Sequence, residues 1–183
     1  MSLNYAILGL LSEKPMSGYD LKKIMQDSEY MYWSGNNNQI YKALLQLSND
    51  NFLISETRHQ DGAPTKKIYR ITDKGRTALQ EWVCSTQPEV PEFKKPFLIQ
   101  MVCFAQLESE QIEKIVLEYQ HKLNTHLIMQ KKKQQQMPST PDCTRQKRFI
   151  EDMILDNVLS FYQSELEWTQ KVLKGICKNF KGE

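Results

Sequence analysis

Apolar residues recur at helical spacing in three segments of the first fifty residues, which predicts three short helices. The first covers residues 3–12 and is ended by Pro15. The second begins after Ser17, which forms with Asp20 the S-x-x-D pattern of a capping box. The third lies within residues 34–53. The residues expected to be buried are Leu3, Ile7, Leu8 and Leu11 in the first helix, Leu21, Ile24 and Met25 in the second, and Ile40, Leu44 and Leu47 in the third.

The outward face of the third helix carries amide and lysine side chains and no acid. These side chains belong to Asn38, Gln39, Lys42, Gln46 and Asn49. Asparagine and glutamine can make bidentate hydrogen bonds to adenine edges, and lysine can reach guanine or phosphate. Ser34 is the expected N-cap, and the backbone amides that follow it suit a phosphate oxygen. A solvated surface helix that carries amides by chance is the alternative.

After the third helix, the apolar pattern changes to that of strands. Residues 54–58 and 67–71 predict two strands, joined by a turn at Asp61-Gly62. Thr72 is expected to cap a fourth helix. The basic residues near the tip of the hairpin are Arg58, Lys66 and Lys67. Three helices, a basic two-stranded hairpin and a further helix predict a winged helix-turn-helix.

Three blocks of the chain resemble the PadR family of bacterial transcriptional regulators. The blocks are YAILGLLSEKPMSGYDLKKI at 5–24, QIYKALLQLSNDNFLI at 39–54 and KKIYRITDKGRTALQEW at 66–82. The chain departs from the family pattern at Asn51, where many members have glycine, and at Lys42, where many have proline. Asn51 is still expected to allow the left-handed turn. Lys42 places a charge where a DNA contact is expected.

The resemblance implies a sequence-specific DNA-binding regulator, a repressor, that acts as a homodimer on double-stranded operator DNA. Its recognition helix is expected over residues 36–49 in the major groove, and its wing over residues 56–70 on the DNA backbone. The expected DNA-binding residues are Asn36, Asn37, Asn38, Gln39, Tyr41, Lys42, Arg58, Lys66 and Lys67.

The pattern of apolar residues in the second half of the chain predicts helices. An apolar segment at 97–105 is followed by a helix from Ser109 to the basic run at 131–136, and by a last helix over residues 144–178. The apolar face of the last helix is wider than the preceding helices can cover, so a partner subunit is expected to cover the rest. The fold class is therefore mainly α. The predicted domains are a winged helix-turn-helix DNA-binding domain at 1–86, a linker at 87–96 and an all-helical dimerisation domain at 97–183.

Composition and motifs argue against several other classes. The four cysteines have no CxxC spacing, and no zinc pattern, nucleophile elbow or phosphate-binding loop occurs. No enzyme activity, metal or cofactor is therefore expected, and Cys103 is expected in the core rather than as a nucleophile. The chain shows no targeting segment or membrane span, and unpaired cysteines suit a reducing cytoplasm, which is the expected location.

Two other functions stay open from the sequence. The first is a winged-helix adaptor that binds proteins instead of DNA, because the net charge is only +2. A steep fall of duplex affinity with salt would argue against it. The second is a ligand-responsive regulator with a small-molecule site between the two domains. Its candidate aromatic walls, which could equally serve core packing, are Trp33, Trp82, Phe97 and Trp168.

Overall fold

The computed structural model describes residues 3–31, 37–60, 63–136 and 144–180. The chain divides into two compact units, Met1–Pro91 and Glu92–Glu183. Each unit has its own cluster of buried apolar side chains, as expected where parts of a chain fold around separate cores.

The first unit combines helices with a small antiparallel sheet. In chain order its elements are α1 Leu3–Glu13, β1 Met16–Ser17, α2 Gly18–Asp27, α3 Asn37–Asn49, β2 Leu53–Gln60, β3 Ala63–Ile71 and α4 Asp73–Ser85. The strand order is β1-β3-β2, so β2 and β3 form the hairpin that follows α3. This is the winged helix-turn-helix that the periodicity predicts.

β1 is an element that the sequence pattern missed. It pairs antiparallel with β3, where Met16 lies opposite Tyr69. A strand of two residues is too short to show an alternating period. The hairpin is also longer than predicted, because pairing continues to Gln60 opposite Ala63 across a register shift. The expected turn at 61–62 lies outside the described residues.

The three N-terminal helices pack around one core with the apolar faces that their periodicity selects. The buried residues of this core are Ile7, Leu8, Leu11, Met16, Leu21, Met25, Ile40, Ala43, Leu44, Leu47, Leu53, Tyr69 and Ile71. Truncating a fully buried member such as Leu44 to alanine is expected to cost about 2–5 kcal/mol. Ile24, expected in this core, is exposed instead, because Leu21 and Met25 already fill the inward face of α2.

The second unit is helical throughout its regular elements. These are α5 Pro96–Val102, a 3-10 turn at Phe104–Gln106, α6 Ser109–Gln136 and α7 Arg145–Phe180. The helices α6 and α7 run antiparallel. Tyr119 of α6 bonds to Glu165 of α7, whereas His126, further along α6, stacks on the earlier Tyr162.

Aromatic side chains from both ends of the short apolar segment build the core of this unit. Phe97 and Phe104 are buried there with Ile112, Val116 and Ile176. Cys103, by contrast, is exposed, so the expectation that it lies in the core is wrong. The segment turns its two phenylalanine side chains inward, and Cys103 lies between them at the end of α5.

A buried polar network also ties the second unit together. The Tyr119 hydroxyl donates to Glu165 Oε1 over 3.0 Å, and Lys95 pairs with Oε2 of the same carboxylate. Both oxygens of this buried acid are thereby satisfied, as a buried charge requires. Burial and then the bond to Glu165 raise the pKa of Tyr119 to about 12. The network joins the residue before α5 to both long helices.

Candidate nucleic-acid interface

α3 turns one face to the core and the other to solvent. Ile40, Ala43, Leu44 and Leu47 are buried. The exposed side chains of α3 are those of Asn38, Gln39, Tyr41, Lys42, Leu45, Gln46 and Asn49. No acidic residue occurs within Asn37–Asn49. Since amides and lysine can hydrogen-bond base edges and phosphates, this face can approach a polyanion and read it.

Some of the expected site residues lie outside the described part of the chain. Residues 32–36, with Ser34 and Asn36, are not described. Asn37 is the first residue of α3, but its side chain and that of Arg58 in β2 are not described either. Contacts of Asn36, Asn37 and Arg58 therefore stay predictions.

Lys66 of β3 is held by an acid of α2. Its Nζ lies 3.1 Å from Asp20 Oδ2, and both side chains are partly exposed. The same oxygen accepts from the Ser17 backbone N–H at 3.2 Å and from Ser17 Oγ at 2.7 Å, which confirms the predicted capping box. The Ser17 hydroxyl bond, followed by the Lys66 contact, lowers the pKa of Asp20 despite its partial burial. Sequence reasoning missed the Asp20–Lys66 pair because its members are far apart in the chain.

One groove brings side chains of α3 and the wing together. It has a volume of about 490 Å³ and is lined by Ser17, Gly18, Tyr19, Tyr41, Lys66, Lys67 and Tyr69. The Tyr41 ring lies directly against Gly18, where an added Cβ would be 2.8 Å from Tyr41 Cε1. The Lys67 Nζ lies 5.4 Å from the centroid of the Tyr69 ring. Tyr41, Lys66 and Lys67 thus share one surface although they come from different elements.

The chain leaves α3 through a left-handed turn that α4 holds in place. Asn51 has a φ of 61°, which confirms that it adopts the conformation expected of it. Thr72 Oγ1 donates to the Asn51 carbonyl at 2.8 Å and accepts from the Gly75 N–H at 3.0 Å. The Lys74 ammonium donates to the Asp50 carbonyl at 2.9 Å. These bonds fix the C-terminal end of α3 relative to α4.

The candidate aromatic walls of a small-molecule site pack within their own units. Trp82 stacks on Tyr5 with ring centroids 4.6 Å apart. Phe97 lies edge-on to Trp168 with centroids 6.2 Å apart. Trp33 lies outside the described residues. The contacts of the three described residues favour the alternative role in core packing.

Other chemistry is sparse in the part of the chain that the structure describes. There, no cluster of three or more histidine, cysteine or acidic side chains is placed to hold a metal ion. Within the same ranges, no helix combines the length and apolar character needed to cross a membrane. Cys84, Cys103 and Cys177 are free and exposed, while Cys143 is not described. Amide, tyrosine and lysine side chains around α3 and the hairpin therefore define the candidate site.

A helix with exposed amides beside a basic hairpin defines the class of winged-helix DNA-binding regulators. Residues 7–81 match the Transcriptional regulator PadR-like family, and residues 93–176 match the family described as Virulence activator alpha C-term. Residues 7–81 are therefore a PadR-like transcriptional-regulator domain.

Individual relatives agree with this assignment. The chain is 29% identical over 179 residues to the negative transcriptional regulator PadR of Bacillus subtilis. The aligned residues cover 97% of this chain and 98% of that protein. The crystal structure of Bacillus subtilis PadR in complex with operator DNA matches with a TM-score of 0.80 and 27% identity, over 95% of this chain and 98% of that one. The Vibrio cholerae virulence activator AphA has the same fold, with a TM-score of 0.67 at 22% identity, over 96% of this chain and 98% of that one. The protein is a DNA-binding transcriptional regulator, since the Bacillus subtilis relative is named a transcriptional regulator, not an enzyme, and its structure contains operator DNA.

Proposed function

We propose that the protein is a homodimeric repressor that acts in the cytoplasm on double-stranded operator DNA. Residues 1–86 form the DNA-binding domain, 87–96 the linker and 97–183 the dimerisation domain. α3 enters the major groove, and the wing holds the DNA backbone. The observation that carries the proposal is the exposed, acid-free face of α3 with its amide and lysine side chains.

Base reading is assigned to the first outward residues of α3. A helix that enters the major groove with its N-terminus presents its early residues to the bases. On α3 these are Asn38, Gln39 and Lys42, whose side chains are exposed. Asn36 and Asn37 lie at or before the start of the helix, where backbone donors suit a phosphate oxygen.

Backbone contacts are assigned to the wing and to Tyr41. Lys66 and Lys67 border the same groove as Tyr41, and Arg58 lies on the paired strand. In the unbound protein Lys66 is paired with Asp20, so a DNA phosphate must compete with a carboxylate for it. Neutralising any one of the three basic residues should weaken binding to all sequences alike and reduce the salt slope by about one unit. A changed sequence preference would instead identify a base contact.

The central test removes the proposed base contacts while leaving the fold. A triple variant with alanine at Asn38, Gln39 and Lys42 should lose affinity for a duplex selected from a random pool by the wild-type protein. Since each bidentate contact is worth about 1–3 kcal/mol of discrimination, the loss should be at least tenfold on that duplex and much smaller on random duplex. The variant should still fold, because truncation of exposed side chains leaves the helix intact.

A matched control removes the same three side-chain types from exposed positions in the second unit, Asn124, Gln170 and Lys174. That variant should bind as the wild type does. A triple α3 variant that stays folded and dimeric and keeps full affinity would show that DNA is held elsewhere, and the adaptor function would take its place.

Dimerisation is supported by four large apolar side chains that lie exposed on the described part of α7. The exposed set is Phe149, Ile150, Met153 and Phe161. We expect a second copy of the chain to bury this apolar patch in a dimer. Light scattering should give a dimer for the full chain and a monomer for the Ile150→Glu, Met153→Glu variant, because buried charges are costly. Gln170→Glu, on the same helix, should stay dimeric, and a wild-type monomer at micromolar concentration would contradict the proposal.

Repression is supported by the relative in Bacillus subtilis, which is named a negative regulator. Transcription in vitro from a promoter that overlaps the selected duplex should fall as protein is added. A rise would make the protein an activator, as the name of AphA states for that structural relative.

A ligand-responsive regulator is the second candidate function. It is favoured by the crystal structure of Bacillus subtilis PadR in complex with p-coumaric acid. Titrating p-coumaric acid into the complex of the protein with its selected duplex should release the DNA if this chain responds to the same compound. An unchanged Kd at millimolar p-coumaric acid would exclude that effector.

A further inference from the structure

Leu45 is an exposed leucine in the middle of the face of α3 that carries the amides. Its side chain is 63% exposed. The inward face of α3 is complete without it, because Ile40, Ala43, Leu44 and Leu47 fill the core. Leu45 is therefore not needed for the core of the unit and is accessible to a partner.

The outward side chains form one line along the helix. Asn38, Lys42, Leu45 and Asn49 are separated by four, three and four residues, and such positions lie above one another on an α-helix. Leu45 is one turn beyond Lys42 in this line. Any partner that Asn38 and Lys42 approach must therefore also meet Leu45.

The side chain of leucine has no hydrogen-bonding group, so it gains only from an apolar surface on that partner. In the major groove of DNA, the base edges present donors and acceptors and one apolar group, the C5-methyl of thymine. The neighbours of Leu45 in the line, amides and a lysine, suit the polar groups of the same groove. A protein partner would instead be expected to meet a wider apolar patch with a polar rim.

We propose that Leu45 contacts the C5-methyl group of a thymine in each half-site and so helps to set the sequence preference of the protein. This rests on the proposed function of α3 as the recognition helix. The helix rises about 10 Å between Asn38 and Leu45. With base pairs about 3.4 Å apart, the thymine lies within about three steps of the base that responds to Asn38.

The size of the effect follows from the burial of one methyl group. That burial corresponds to a change of about fourfold in affinity for each half-site. Leu45→Ala should weaken binding to the thymine-containing duplex by at least this factor. The variant should fold normally, since alanine is the residue best suited to an exposed helix position.

The experiment uses the full-length protein and a duplex selected by it from a random pool. Each thymine of the duplex is replaced in turn by deoxyuridine, which lacks only the methyl group, and Kd is measured at fixed salt. The wild type should lose about fourfold at one position per half-site. Leu45→Ala should lose no affinity on replacement at that position, but it should respond to replacements at the other positions as the wild type does. This difference is the coupling that a double-mutant cycle detects. Val83→Ala, a truncation at a side chain with 62% exposure on α4, should retain the full sensitivity.

Four outcomes separate this proposal from the function on which it rests. A selected duplex without any thymine in its half-sites, or a deoxyuridine effect that is the same in the wild type and in Leu45→Ala, would overturn the role of Leu45 while DNA binding stands. Failure of the wild-type protein to enrich any duplex would overturn the proposed function itself, and with it the role of Leu45. A loss of about fourfold that disappears only in Leu45→Ala supports both.

Discussion

Gly75→Ala tests how closely α4 approaches the end of α3. A Cβ added at Gly75 would lie 2.4 Å from the Phe52 carbonyl oxygen and 2.9 Å from Ile71 Cγ1. The carbonyl belongs to the backbone and accepts the Thr72 N–H at 3.0 Å, so it cannot move aside without breaking that bond. The start of α4 must therefore shift away from the turn that follows α3.

The expected change in the free energy of unfolding combines a loss, from overpacking and a weakened cap, with a smaller gain from the helix preference of alanine. Overpacking costs about 1–3 kcal/mol. Weakening of the cap that Thr72 provides to Gly75 costs about 1 kcal/mol more. Alanine is favoured over glycine in a helix by about 1 kcal/mol. Gly75→Ala should therefore lower the free energy of unfolding by about 1–3 kcal/mol, and the midpoint of urea unfolding followed by circular dichroism measures this loss.

Gly175→Ala is the matched control, because it makes the same substitution inside α7 where, apart from the adjacent residues and the backbone of the helix itself, no described heavy atom lies within 4 Å of the added Cβ. There only the helix preference acts, so this variant should be more stable by about 0.5–1 kcal/mol. A Gly75→Ala protein as stable as the wild type would refute the close approach of α4 to the Phe52 carbonyl.

Three further substitutions probe the turn, the cap and the buried network. Asn51→Ala should be less stable than Asn51→Gly by about 1–2 kcal/mol in urea unfolding, because alanine is strained at positive φ. Asp20→Asn should be less stable than the wild type at pH 7. The hydrogen bond from the Ser17 hydroxyl lowers the pKa of Asp20, so this difference should shrink as the pH falls through the folded pKa, and a gap that stays constant on acidification would contradict it. Tyr119 has a pKa of about 12, so it contributes stability that is present below pH 10 and lost as the pH rises through 12. Tyr119→Phe should remove that titration from the ultraviolet absorbance, and a Tyr119 phenol that titrates near pH 10 would show that burial and the bond to Glu165 do not hold it neutral.

Local sequence determined the helices and the β2–β3 hairpin of the first unit. Helical period selected the buried faces of α1 and α3, and the side chains of Ser17 and Thr72 begin α2 and α4 as predicted. Such signals lie within one or two turns of chain, so neighbouring residues alone fix them. The same period predicted that Asn38 and Lys42 are exposed, and the structure confirms it.

Leu45 also lies on the exposed face of α3, but the sequence pattern assigned it no role. An apolar residue on a polar face breaks the pattern, and a break by itself does not say what the side chain contacts. The proposed contact of Leu45 with DNA depends on its position in line with Asn38 and Lys42 on the exposed face of α3, above a core that is complete without it.

Tertiary structure decided the contacts between distant segments. β1 exists because Met16 lies beside Tyr69, Lys66 is restrained because β3 brings it to Asp20, and Lys95 reaches a buried acid on α7. Each of these interactions joins residues more than forty positions apart in the sequence. Their stabilisation depends on which segments fold next to each other, and a pattern confined to one segment carries no information about that.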